Sequence, residues 1–358
     1  MKVLIAGGGT FGHIAPGLAI YEEFKKRGDD VIYVVSNRDR GYKRIEELKD
    51  RAYVIPITPF KRFDLPAKIM FGFNLVRGVL ASRRIIKRFK PDLIISSGGY
   101  VAAGPLIATR KNRKIKKVLL EQNTLPGAVT RMFSKYADLT VLTFASSEKW
   151  INGKSEVIGN PVLFDKSTID IKKARDAFNI KEGDFVLTVT GGSGGAKIIN
   201  DTFLKIASSL KEIKVIWSTG VNNFEEIKEG AKDYPNISVY AFIDKMDELL
   251  SISNLVLSRA GATSIAELSY MGVPGVLIPY KWAAENHQVL NAEFVINGGG
   301  GVMIEDDNLS EELLLKTLNE LINNKKKLEK MASDMGSLFG SDIKERIVDL
   351  IKREICTA

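Results

Sequence analysis

Short β-branched runs that alternate with amphipathic segments are the feature that most narrows what this chain can fold into. "KVLIA", "VIYVV", "AYVIPI", "DLIIS", "KKVLLE" and "LTVLT" occupy the first half, and "FVLTVT", "KVIWST", "ISVYAF", "NLVLS" and "GVLIP" the second. Such alternation predicts βαβ units, hence parallel sheets covered by helices. Several runs end in a glycine turn: "GGGTFG" follows the first, "SSGGYVAAGP" follows "DLII", "GGSGGAK" follows "FVLTVT", and "RAGATS" follows "NLVLS". Ligands of open α/β sheets bind beyond the carboxyl ends of the strands. Glycine turns in both halves therefore predict an α/β fold of two doubly wound domains facing a common cleft.

At 358 residues the chain is too long for one ordinary core. Periodicity lapses across residues 151–165, around Gly153, Gly159 and Pro161, which predicts domains at 1–161 and 162–340. Three helical patterns close the chain, and the last, within 341–358, is a candidate to return to the first domain. Lys2 leads straight into a β-like run without a secretory pattern, and no apolar stretch approaches the roughly 18–20 residues that span a bilayer. A cytoplasmic protein is expected. The single cysteine, Cys356, excludes an internal disulfide and a cysteine-rich metal site.

The formal net charge of +9 is localised. Residues 61–90 carry nine Lys and Arg against Asp64 alone, a local +8 that seeks a polyanion such as anionic lipid, a phosphorylated substrate or nucleic acid. The window lacks a DNA- or RNA-reading motif, and scarcely any aromatics interleave with its charges, which argues against nucleic acid. Within "LPAKIMFGFNLVRGVLASRRIIKRF", Ile69, Phe73, Val76 and Leu80 share one helical face, with Arg77, Arg84 and Arg88 in a neighbouring column. Phe71, Leu75, Val79, Ile86 and Phe89 form a second face. One apolar face suits a core and the other, flanked by cations, suits an anionic membrane surface; Gly72 and Gly78 oppose the helix.

Gly7, Gly9 and Gly12 fit a dinucleotide fingerprint, but Ser36 and Asn37 stand where an acidic ribose partner is expected after the second strand. His13, directly behind these glycines, reads either as a first-turn helix residue bonded to backbone or as a general base facing a ligand. Glu267 has two readings as well: partner of Ser264 in an S-x-x-E capping box, or acceptor of both hydroxyls of a ribose. In "AAENHQVLNA", Gln288 and Asn291 are three apart on one helical face and read as surface polarity or as a reader of sugar hydroxyls.

Taken in order, "GGTFGHIAPGLA", "SSGGYVAAGP", "EQNTLPG", "GNPV", "GGSGGA", "FID", "SRAGATSIAEL" and "NHQVLNA" resemble the MurG family of N-acetylglucosaminyltransferases, which complete lipid II in peptidoglycan synthesis. The resemblance covers essentially the whole chain. It implies a GT-B fold, two Rossmann-like domains, with UDP-N-acetylglucosamine held mainly by the second. It gives Ile243 a backbone contact to uracil and Glu267 the ribose. Ser193 with the loop Ala262, Thr263 and Ser264 takes the diphosphate, Ile265 and Ala266 belong to the donor-binding set, and Gln288 and Asn291 take the sugar. Thr10, Phe11, Gly12 and Asn123 line the acceptor side, and His13 and Tyr100 are the catalytic candidates. Two departures stand out: Phe11 where the family usually has glycine, and Leu163 where "GNPVR" has arginine.

The implied reaction transfers N-acetylglucosamine to the C4 hydroxyl of the N-acetylmuramoyl group of lipid I, with inversion. No Asp-x-Asp pair is present to hold a metal–diphosphate complex, so neither metal nor other cofactor is expected, and leaving-group charge falls on backbone N–H groups. The partners implied are UDP-N-acetylglucosamine, lipid I and anionic lipid at the cytoplasmic face of the cell membrane. The alternatives are another UDP-sugar enzyme of the same fold, such as a diacylglycerol glucosyltransferase or a UDP-sugar epimerase, or a non-catalytic lipid-phosphate-binding module.

Overall fold

The computed structural model describes residues 1–59, 65–192, 194–282 and 286–356, the side chains of 65–69 and 356 excepted. The chain forms two compact units, Met1–Leu163 together with Asp342–Ala358, and Phe164–Ser341. Each is built on one parallel sheet.

In the first unit β1 (Lys2–Ala6), β2 (Asp30–Ser36), β3 (Ala52–Ile55), β4 (Leu93–Ser96), β5 (Lys116–Glu121), β6 (Leu139–Leu142) and β7 (Ser155–Val157) lie in the order β3-β2-β1-β4-β5-β6-β7. β1 sits at the centre: Val3 pairs with Val31 on one side and Leu93 on the other, and the ladders run to Ala6 opposite Val34 and Ser96. Burial on both faces explains why the run has no polar alternation. Leu4, Ala6, Ile32 and Val34 pack with Leu75, Ile86, Phe89, Ile107 and Val129 from the helices Leu65–Phe89, Ala103–Thr109 and Ala128–Phe133. The direction of strand order reverses between β1 and β4, which puts their carboxyl-end loops at the crevice where such sheets bind ligands.

The helix Leu65–Phe89 runs through both of its glycines. Gly78 is buried against Ile57, and a Cβ on Gly104 of the neighbouring helix would meet Ser82 Oγ at 2.8 Å, so small residues let these two helices approach closely. Leu75, Val79, Ile86 and Phe89 face inward. Met70, Phe73, Val76 and Leu80 are the outward apolar row, Phe73 and Val76 each 59% exposed, with Arg77 over the Phe73 ring. Arg83, Arg84, Lys87 and Arg88 are exposed further along. Ile69 is helical, but its side chain lies outside the described residues. No helix among the described residues is long and apolar enough to cross a membrane.

The second unit repeats the plan. β8 (Val186–Thr190), β9 (Lys214–Ser218), β10 (Ile237–Tyr240), β11 (Leu255–Ser258), β12 (Gly275–Leu277) and β13 (Gly301–Met303) lie in the order β10-β9-β8-β11-β12-β13, so the reversal falls between β8 and β11. Its core centres on Trp217, edge-on to Phe203 at 4.9 Å. The buried Trp217 Nε1–H donates to Asn200 Oδ1 at 3.0 Å while Asn200 Nδ2 donates to the Thr219 carbonyl at 2.9 Å. This satisfied polar pair fixes the helix Lys197–Ile206 against the end of β9.

The final helix, Ile343–Cys356, packs on Phe11–Lys26 of the first unit. Ile347, Val348 and Ile351 are wholly buried, while Arg27 pairs with Asp349 and Lys352 Nζ lies 2.7 Å from Asp29. Burial alone would raise the Asp29 pKa, but Lys352 and the N-terminal ammonium outweigh it and hold the carboxyl below its ordinary range. The helix is thus joined to its unit by a buried apolar face and by ion pairs. Ile351→Ala should destabilise the chain by about 2–5 kcal/mol, read as a lower urea midpoint for the transition that includes this unit; an unchanged midpoint would mean the helix is not part of that cooperative core.

Candidate active site

In the loop after β1, Gly7 N–H donates to the Val34 carbonyl at 3.2 Å, and Gly9 adopts a left-handed φ of 93°. Gly9 N–H donates to Asp39 Oδ1 at 2.9 Å, and the other carboxylate oxygen accepts from Ser36 N–H at 3.0 Å and Ser36 Oγ–H at 2.6 Å. Asp39 is buried, so these donors keep its charge satisfied. An acidic residue does follow β2, three positions beyond Ser36, but it holds the glycine loop itself. The Ser36-x-x-Asp39 spacing was its sequence signal. Tyr100 lies flat against Gly9, where an added Cβ would stand 2.6 Å from Cε1, and its hydroxyl is 3.0 Å from Ser36 Oγ. Tyr100 is therefore coupled to the loop's support.

Thr10 caps the helix Phe11–Lys26 with extended backbone, while its exposed hydroxyl makes no capping bond. Phe11 and Gly12 open the helix, and the Phe11 ring tilts against Tyr42 at 5.8 Å. The bulkier residue at the usual glycine position is accommodated on Tyr42 without interrupting the helix. His13 follows in the first turn, half-buried, its ring against the Gly98–Gly99 turn after β4. Both glycines have left-handed φ, and a Cβ on Gly98 would lie 2.6 Å from His13 Nδ1. His13 Nδ1 is 3.1 Å from Gln122 Oε1, and no described residue bonds to Nε2. The loop carrying Gln122 is held by Glu121, whose carboxylate accepts N–H bonds from Asn123 and Gly127, each at 3.0 Å, while Ser147 Oγ–H donates to the Asn123 carbonyl at 2.9 Å. Gln122 and Glu121, both buried, were not singled out in the sequence although they sit inside the quoted "EQNTLPG".

In the second unit the loop after β8 is compressed against the loop after β9: a Cβ on Gly195 would stand 2.1 Å from the Thr219 carbonyl oxygen. Ser193 of this loop lies outside the described residues. After β11, Arg259 donates to Asp306 Oδ1 at 2.5 Å and to the Ile278 carbonyl at 3.1 Å, which commits it to bracing the strand ends. The helix Ala262–Met271 then begins, capped by Gly261. Ser264 is thus its third residue, so the capping-box reading of Ser264 and Glu267 is not what the chain forms. The first turn, Ala262 to Ser264, sits at the positive end of the helix, where backbone N–H groups point out along the axis. Ile265 and Ala266 are buried.

Glu267, one turn further on, is half-buried by surface, yet its carboxyl is withdrawn far enough from water that desolvation, with a smaller push from Asp247, raises its pKa to about 7. No described residue donates a hydrogen bond to it. Gln288 Oε1 accepts the Tyr280 N–H at 2.9 Å, and no described residue accepts from its amide N–H groups. Asn291, wholly buried, donates to the Ala260 carbonyl at 3.2 Å and supports the loop before Ala262 from behind. Ile243 is anchored by its side chain in a core cluster with Ile216 and Leu249.

Paired parallel sheets, each with glycine turns at its strand-order reversal, define the GT-B class of glycosyltransferase fold. A crystal structure of MurG from Acinetobacter baumannii matches at TM-score 0.75 with 23% identity, covering 98% of this chain and 99% of that one. A UDP-GlcNAc 2-epimerase from Neisseria meningitidis, solved with UDP-GlcNAc bound, matches at TM-score 0.72 with 17% identity, covering 99% and 100%; both likenesses establish the fold alone. Residues 3–141 match the glycosyltransferase family 28 N-terminal domain and 186–347 its C-terminal domain. The chain is 33% identical over 361 residues to a UDP-N-acetylglucosamine–N-acetylmuramyl-(pentapeptide) pyrophosphoryl-undecaprenol N-acetylglucosamine transferase of Acetivibrio thermocellus, covering 98% of both chains. This chain belongs to that transferase family, the MurG family within glycosyltransferase family 28.

Proposed function

We propose that this protein transfers N-acetylglucosamine from UDP-N-acetylglucosamine to the C4 hydroxyl of the N-acetylmuramoyl group of lipid I, forming lipid II with inversion at the anomeric carbon. The observation that carries this reading is the 33% identity to a transferase so named, over 98% of both chains. The acceptor proton passes to His13 Nε2, the hydroxyl oxygen bonds to the anomeric carbon, and the bond to the diphosphate breaks with its electron pair on the leaving oxygen. Backbone N–H groups at the start of Ala262–Met271 stabilise that charge, with no metal ion in the step. Thr10 and Asn123 belong to the acceptor side. The purified protein should move label from UDP-[14C]N-acetylglucosamine into a lipid product when given lipid I, with EDTA present; absence of transfer with lipid I but turnover to an epimerised UDP-sugar would favour the fold neighbour's chemistry.

The donor's ribose suits Glu267, whose carboxyl is desolvated enough to raise its pKa and accepts no hydrogen bond from a described residue. Two ribose O–H groups would supply charge-assisted hydrogen bonds of roughly 1.5–3 kcal/mol each. Binding favours the carboxylate, so it lowers the pKa from about 7 in the free protein and releases a proton. Donor affinity should therefore rise by about tenfold between pH 6 and pH 8 by calorimetry, and Glu267→Gln should flatten that dependence while weakening binding. The neutral side chain also removes the cost of a desolvated carboxylate, so the same variant should melt higher at pH 8. An unaltered pH slope in the variant would remove Glu267 from the ribose.

The outward row Met70, Phe73, Val76 and Leu80, followed by Arg77, Arg84 and Arg88, suits an anionic bilayer at the cytoplasmic face of the membrane, with each Lys or Arg worth about 1 kcal/mol. Such docking would bring the enzyme to an undecaprenol-linked acceptor. Sedimentation with phosphatidylglycerol-containing vesicles should weaken in high salt and in Phe73→Ser/Leu80→Ser; equal binding by that variant would exclude this face.

A further inference from the structure

Gln122 is buried at the end of β5, and its side-chain amide has two neighbours: the Leu120 carbonyl at 3.2 Å and His13 Nδ1 at 3.1 Å. A carbonyl oxygen can only accept, so the amide atom facing Leu120 is the NH₂ group. The atom facing His13 is then the amide oxygen, which also can only accept. Nδ1 must therefore carry the hydrogen, and in the neutral ring Nε2 is left with the lone pair. The Leu120 carbonyl alone fixes the orientation of the amide.

The surroundings leave this pairing little freedom. Gln122 is flanked by Glu121, whose backbone carbonyl accepts from both Thr143 N–H and Thr143 Oγ–H at 3.0 Å, and by Asn123, tied through Ser147. On the other side the His13 ring meets the Gly98–Gly99 turn, where a side chain at Gly98 would intrude on both Nδ1 and the Gln122 oxygen.

We infer that Gln122 is a positioning residue that selects the Nδ1–H tautomer of His13 through a neutral amide, so that Nε2 is the nitrogen able to take a proton. The tautomer follows from the hydrogen bonds alone, and only its catalytic consequence rests on the proposed reading of His13 as the base. Gln122 touches no reacting atom. Its substitution should lower kcat on the order of 10-fold with donor and acceptor KM little changed, short of the roughly 10⁴-fold loss of an imidazole held in the wrong tautomer.

The test uses the full chain labelled with 15N-histidine. Only two histidines are present, so signals absent from His13→Ala belong to His13. Long-range proton–nitrogen correlation spectra at pH 8 should show Nδ1 protonated and Nε2 bare in the wild type. Gln122→Met, whose thioether is only a weak acceptor, should shift the ring toward Nε2–H. Gln122→Glu should keep Nδ1–H, since a carboxyl oxygen accepts there in either ionisation state. Nε2–H in the wild type, or an unchanged tautomer in Gln122→Met, overturns the inference, and the wild-type spectrum decides even if a variant does not fold. A shifted tautomer with undiminished kcat leaves the assignment standing and counts against His13 as base.

Discussion

The arrangement of the first unit depends on how closely two backbone turns approach at the carboxyl ends of β1 and β4. A Cβ on Gly99 would come within 2.1 Å of the Gly8 carbonyl oxygen, and one on Gly7 within 1.8 Å of Ser97 Oγ. No ordinary side chain fits at either place. That contact exists because β1 and β4 are adjacent at the reversal of strand order, and it sets where the helix Phe11–Lys26 can start. The position of His13 follows from that start. Asp39, reaching from beyond β2 to Gly9 N–H, and Tyr100, lying against Gly9, secure the same loop from two further directions.

The second unit solves a related problem with different chemistry. Gly195 and Gly220 again permit backbone against backbone, and the buried Asn200 fixes the following helix by bonding both Trp217 and the Thr219 carbonyl. Where the first unit brings a half-buried imidazole to its strand ends, the second brings a helix N-terminus and a carboxyl without donors. Glu267 is destabilised as a carboxylate in the free protein, a local cost that a hydroxyl-bearing ligand would relieve. Arg259, the cation nearest in sequence to that helix start, is already paired with Asp306, so backbone N–H groups are the positive charge that the segment offers.

Eleven of the strands were legible as short apolar runs, two doubly wound domains followed from their alternation with helices and from the glycine turns, and the GT-B class from the family resemblance. β7 and β13 were missed. Each is a three-residue edge strand, and Glu156 and Val157 of β7 are exposed, so neither leaves a continuous apolar signal. The two apolar faces of Leu65–Phe89 were readable from spacing, but which faced outward depended on the packing of Gly78 and Gly104. In the site, residue types at glycine turns pointed to His13, Glu267 and Gln288. Their support was harder to see: Asp39 reaches Gly9 across 30 residues and Gln122 reaches His13 across 109, both set by strand order, while Glu121 closes a local loop to Gly127 that no motif marked. The Ser264-x-x-Glu267 pattern was sound locally as a capping box, but the cap falls three residues earlier, at Gly261, where the chain leaves the strand end.

On the proposed reading, these turns hold one imidazole as the base for a sugar hydroxyl. That role is tested most directly by kcat of His13→Ala at saturating lipid I and UDP-N-acetylglucosamine. A positioned base contributes about 10²–10⁴-fold, so kcat should fall by that factor while donor affinity stays near that of the wild type. A near-normal kcat with a raised KM for lipid I would contradict the account and make His13 a residue that orients the acceptor.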